Sequence, residues 1–174
     1  IVALNKDTGT VAWRTPRSGK LRENIQFNKS YSTPMIVSVH GRDVLVSQGP
    51  DWLYGYDPVD GRELWKLGYG TQGFSHAARA VSGHGMIFLS TGFLRPEIEA
   101  VRYDTAGTPE IAWRYAKGAP TMPSPLLVKD HLYFVSDSGG MVTCLDAKTG
   151  REIYRERLGG NHSSSPQLAG NNIY

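Results

Sequence analysis

The 174 residues suffice for one sizeable core, and 40% hydrophobic with 20% charged residues is a globular composition, which excludes a disordered chain. A net charge of +3, with Arg and Lys interleaved among Asp and Glu, excludes the concentrated basic face of a nucleic-acid binder. No apolar run approaches the roughly 20 residues that span a bilayer, and the single cysteine, Cys144, has no disulfide partner within this stretch.

Twenty Gly and ten Pro are scattered among Val, Ile, Tyr and Trp, which predicts short strands joined by tight turns. Ile1–Leu4 reads as a strand, a turn ends at Gly9, and the next strand carries Trp13. A long connection runs from Arg14 to Ser30. Strands then follow over Ser32–Val37, Val44–Ser47 and Trp52–Tyr56, with a turn at Gly61 and a fourth strand carrying Trp65. The pattern recurs over Ser75–Val81, Met86–Ser90 and Ile98–Tyr103, then Gly107 and Trp113. It recurs again over Ser124–Val128, Leu132–Ser136 and Met141–Leu145, then Gly150 and Tyr154. A last strand over Ser165–Ala169 leads to the start of another at Ile173-Tyr174.

The aromatic ends Trp13, Trp65, Trp113 and Tyr154 stand 52, 48 and 41 residues apart, which suits a propeller blade of four strands, A to D, of about 40 to 50 residues. In the turn between strands C and D, an Asp or Asn side chain bonds a nearby backbone N–H, and Gly supplies a positive φ. The Trp on strand D presents a flat surface to the neighbouring blade. The copy around Gly107 has one inserted residue and a displaced Gly, which predicts a remodelled turn. The expected division is a partial blade over 1–15, blades over 30–67, 74–115 and 122–158, and a partial blade over 164–174. The register favours a segment of a larger ring over closure of the two partial blades into a four-bladed one. The chain opens on Ile1, as a processed protein or a piece of a longer one does.

Ala3, Asn5, Thr8, Gly9 and Trp13, with Asp146, Thr149 and Gly150, resemble the unit Ala-x-Asp-x-x-Thr-Gly-x-x-x-Trp of the PQQ-like β-propeller repeats. Cys144 and Tyr154 stand where that unit has a small residue and Trp. The resemblance covers the chain and implies an all-β propeller of four-stranded antiparallel blades. It also implies a periplasmic or extracytoplasmic place in bacteria. The repeat is shared by quinone-dependent dehydrogenases and by outer-membrane assembly proteins resembling BamB. The leading expectation is a non-catalytic propeller that binds or scaffolds in the cell envelope. The alternatives are a PQQ-dependent dehydrogenase with catalytic residues outside this segment and a ligand-sensing ectodomain. No cofactor is predicted from the residues. PQQ with calcium enters by the resemblance alone, and the adjacent cysteine pair typical of the enzyme branch is missing here.

A propeller places its D-to-A and B-to-C loops on one face, where binding groups are expected. The Arg14–Ser30 connection carries Arg17, Lys20 and Arg22, and reads either as a solvated insertion or as a docking loop for an acidic partner or small anionic ligand. Arg79, at or beside the position of Pro in other blades, would line an anion-binding mouth with His76 and His162, or stand solvated in a wet channel. Trp52 would stack on a ligand or pack at the core rim. His40, His84 and His131 fall on the opposite face. Gly68–Gly73 spells GxGxxG but leads into a strand, so the dinucleotide reading fails.

Overall fold

A computed structural model describes residues 1–70, 73–104 and 106–174, and nearly all of its regular structure is strand. The first sheet pairs β1 (Val2–Leu4) with β2 (Val11–Arg14). Three four-stranded antiparallel meanders follow. The first is β3 (Met35–Val39), β4 (Arg42–Gln48), β5 (Trp52–Tyr56) and β6 (Glu63–Gly68). Next come β7 (Val81–Gly83), β8 (Met86–Ser90), β9 (Ile98–Tyr103) and β10 (Pro109–Tyr115). The third is β11 (Leu126–Val128), β12 (His131–Val135), β13 (Met141–Asp146) and β14 (Glu152–Arg157). A final pair joins β15 (Leu168–Ala169) to β16 (Asn172–Ile173). This is the all-β propeller architecture that the repeat predicts. Among the described residues no helix is long and apolar enough to cross a membrane.

Local chemistry sets the hairpins. The A–B turns His40-Gly41 and His84-Gly85 hold φ of 49° and 78°, and of 55° and 70°. Both loop positions are left-handed, as a two-residue hairpin that follows the strand twist requires. In the C–D turns, Asn5, Asp57 and Asp146 accept backbone N–H bonds on their side chains, and the Gly four residues on donates to the same residue's carbonyl. The third copy differs. Gly107 N donates to Asp104 O at 3.0 Å, one residue tighter, and Asp104 Oδ1 takes the amides of Ala106 and Thr108. That is the turn the inserted residue remodels.

Each C–D ladder carries a bulge just ahead of the aromatic residue, which puts Trp13, Trp65, Trp113 and Tyr154 directly opposite Ala3, Gly55, Ala100 and Cys144. The small residue of the repeat is therefore the floor on which the ring lies. At Gly55 a Cβ would collide with the indole of Trp65.

The rings then reach the following blade. Trp13 Nε1 donates to Pro58 O at 3.2 Å and its ring covers Gly61, while Trp113 Nε1 donates to Ala147 O at 3.1 Å and covers Gly150. Trp65 packs instead edge-on against Tyr103, just ahead of the remodelled turn, with centroids 5.6 Å apart. Two buried apolar clusters fill the spaces between blades. Val46, Leu53, Tyr69, Leu89 and Val101 join the first full blade to the second, and Phe88, Ile98, Phe134 and Leu145 join the second to the third.

Candidate binding face

The Arg14–Ser30 connection is tied down over the loop between β4 and β5. Arg22 holds both carboxylate oxygens of Asp51, with Nε to Oδ2 at 2.7 Å, and its guanidinium stacks 5.5 Å from the Phe27 ring. Arg17 Nη2 donates to Asn28 O at 2.7 Å, inside the connection itself. Ser18 receives Tyr54 Oη on its carbonyl at 2.9 Å and donates its hydroxyl to Glu63 at 2.8 Å. Asn24 caps a short 3-10 turn over Ile25–Asn28. Of the three basic candidates here, Arg17 and Arg22 serve the loop's own structure and Lys20 alone is exposed.

Trp52 lies in the same layer but is not open. Its indole packs under Gly19 and Gly68, with Lys66 Nζ 5.6 Å above the ring, so it serves the loop rim. The expectation that His76 lines a binding mouth is corrected by its burial, at 1% exposure. His76 Nε2 is 2.6 Å from Thr91 O and 3.2 Å from Tyr69 Oη, while the Tyr69 hydroxyl donates to Gly49 O. A carbonyl can only accept, so Nε2 bears the proton and Nδ1 is left as a buried acceptor without a partner. Burial pulls the imidazole down to about 4, so it is neutral. His76 is an internal tie across three loops, and no mouth of His76, Arg79 and His162 forms.

Arg79 is exposed, but its backbone carries the structural role. Arg79 N donates to Ser124 Oγ at 2.9 Å, and Ser124 N donates to Ser165 Oγ at 2.9 Å. Arg79 thus stands at the place of the Ser in Ser124-Pro125 and Ser165-Pro166 rather than at that of the Pro. In the first full blade, which reads Ser32-Thr33-Pro34, the serine stands one residue earlier, and Ser32 Oγ donates to Ala78 O at 2.9 Å. His162 binds Gly159 O through Nε2 at 2.9 Å, half-buried beside β14. On the opposite face, His40 and His84 are latches between blades, bonded through Nε2 to Asp104 O and Lys129 O at 3.0 and 2.8 Å. His131 begins β12. The GxGxxG stretch includes Thr71 and Gln72, which lie outside the described residues.

Among the described residues, Asp51, Asp137, Glu97 and Glu99 on the loop face do not fit a calcium-assisted quinone pocket. Asp51 is committed to Arg22, Asp137 accepts the Thr121 amide and hydroxyl and the Met122 amide, and Glu97 and Glu99 share Arg114. Among the described residues no three metal-ligating side chains gather.

Two features escape a reading of the sequence. Phe27, Phe74 and Phe93, from three different loops, form an edge-to-face row with centroid spacings of 5.0 and 5.8 Å. Phe93 is 62% exposed, and Ile25 and Leu94 beside the row are 74% and 50% exposed. The second feature is Glu99, a carboxylate with no exposed surface. Loop aromatics have no periodicity to mark them, and a Glu in a strand gives no sign of which face it takes.

A family model described as outer membrane protein assembly factor BamB matches residues 1–128 and 99–174. No curated protein matches the chain. Among solved structures, BamB from Moraxella catarrhalis is similar over 95% of this chain and 46% of its own, at 15% identity and a TM-score of 0.64. A quinohemoprotein alcohol dehydrogenase from Comamonas testosteroni is similar over 95% and 36%, at 12% identity and 0.69. Another from Pseudomonas putida is similar over 75% and 21%, at 23% identity and 0.58. The chain spans less than half the length of each, and at these identities the likeness is one of fold. With the family model matching throughout and the blades built from its repeat, the chain belongs to the BamB family of PQQ-like β-propeller repeat proteins.

Proposed function

We propose that this chain is part of a non-catalytic propeller that holds a protein partner on its D-to-A and B-to-C loop face, in the bacterial cell envelope. The observation that carries this reading is the Phe27–Phe74–Phe93 row with Ile25 and Leu94 exposed beside it. Exposed apolar groups gathered on one face are what a partner covers. Their loops are held by the Arg22–Asp51 pair and the His76 tie, so little ordering entropy is left to lose on binding. Lys20, Lys29 and Arg95 are exposed on the same loops, which suits a partner segment with apolar side chains and acidic flanks.

The test places a photoreactive residue at Ile25 or Phe93 of the full-length protein in cells, and at Val59 on the opposite face as a control. Discrete adducts at the first two positions, absent at Val59 and, for the Ile25 probe, lost with Phe93→Asp, are expected. Calcium- and quinone-dependent substrate oxidation by the full-length protein, or adducts at all three positions alike, would overturn the reading.

A further inference from the structure

Register makes one position of the second full blade anomalous. Tyr54, Glu99 and Thr143 stand at equivalent places on strand C, each opposite a basic residue of strand D, namely Lys66, Arg114 and Arg155. Two blades use a neutral residue there, so the architecture does not require an acid.

Glu99 faces the interface with the preceding blade. Leu89, directly opposite on β8, and Val101, two residues on, share its side of the sheet and belong to the core that also holds Leu53 and Tyr69. The Glu99 side chain has no exposed surface, Oε1 accepts from Arg114 Nε at 2.9 Å, and Oε2 has no hydrogen-bond partner. Arg114 is half-exposed and is shared with Glu97, whose Oε2, also buried and without a hydrogen bond, lies 3.9 Å from the same nitrogen. The groups facing Glu99 are thus Arg114 from β10, Glu97 from the loop before β9, and the buried Tyr69 phenol from the preceding blade. Two carboxylates share one guanidinium, and each leaves a buried oxygen without a hydrogen bond. An excess negative charge in a dry interface is costly, and the small cation that removes it is a proton.

We infer that Glu99 is a proton-binding site that couples the interface between the first and second full blades to ambient pH, with the carboxylic acid as the form the packed interface holds. Burial raises the carboxyl to about 7, opposed by Arg114 and reinforced by Glu97. A carboxyl raised in the folded state costs nothing below its unfolded value. Its cost grows as pH climbs toward the folded value, then levels off. The interface is therefore tighter in mildly acidic medium and looser in mildly alkaline medium.

Urea unfolding of the full-length protein and of its Glu99→Gln variant, which keeps the shape and removes the titration, tests this. The stability advantage of the variant should grow by on the order of a hundredfold in the folded-to-unfolded ratio between about pH 5 and about pH 8. Parallel pH profiles would overturn the inference. If Glu99→Gln does not fold, carbon-13 detection of the wild-type Glu side chains decides. A carboxyl titrating near neutrality and moving higher in Arg114→Gln supports the site, and titration of every Glu in the ordinary carboxylate range refutes it.

Discussion

The indole of Trp113 lies across Gly150 of the next blade, so close that a Cβ there would stand 2.6 Å from the ring, while Nε1 donates to Ala147 O. Gly150 also holds φ at 71°. Gly150→Ala therefore adds a collision to left-handed strain and should cost about 2 to 4 kcal/mol. Gly85→Ala, at φ 70° with open space around it, should cost only about 1 kcal/mol. Trp113→Ala should cost about 3 to 5 kcal/mol. The double variant Trp113→Ala with Gly150→Ala should cost less than the sum, because the collision has gone. Urea midpoints of the four variants check the set.

Tyr103 supports Trp65 where the turn glycine is displaced, and its hydroxyl is buried without a partner, which raises its pKa. Tyr103→Phe keeps the ring and removes the unsatisfied group. Stability should hold or rise by up to about 1 kcal/mol, and Tyr103→Ala should lose about 3 to 5 kcal/mol. A loss in Tyr103→Phe measured by thermal unfolding would reveal a partner for the hydroxyl.

The Arg22–Asp51 pair closes the long connection onto the β4–β5 loop with little solvent access. Arg22→Ala should free that segment and leave Asp51 unpaired, at a cost of about 1 to 3 kcal/mol. Limited trypsin digestion at Lys20 is the direct measure. Cleavage should accelerate in Arg22→Ala and stay slow in Lys29→Ala.

His76, held near 4 by burial, carries the opposite pH signature to Glu99. The neutral ring is the folded form, so its full contribution is present above about pH 6.5 and is lost as pH falls toward about 4. The loss should amount to on the order of 3 kcal/mol. Comparison with His76→Gln, which keeps a donor for Thr91 O, isolates this slope, and the wild-type ring resonance should not titrate above about pH 5.

The blades are legible because the repeat writes each one three times over: turn acid, glycine and aromatic end at matching offsets. The displaced glycine at 107 likewise announces a changed turn. What the offsets do not carry is depth. His76 has the composition of a mouth residue and the burial of a core residue, because two loops from different blades close over it, and neither loop is periodic. Arg79 misleads similarly, since the side chain is what a sequence displays and the amide is what the fold uses. At 32–34 the Pro keeps the register of Pro125, but Thr33 separates it from Ser32, so the serine stands one residue ahead of the place that Ser124 takes.

The peptide between Ala78 and Arg79 is gripped from both sides, its carbonyl by Ser32 and its amide by Ser124. The segment that leads into β7 is therefore fastened like a middle link, and it cannot open toward solvent without loosening both neighbours. The Arg79 amide proton should exchange only in openings that part the second full blade from the third, so opening there is shared between blades. Residue 79 must also keep an N–H, which proline lacks; any other side chain leaves that fastening intact.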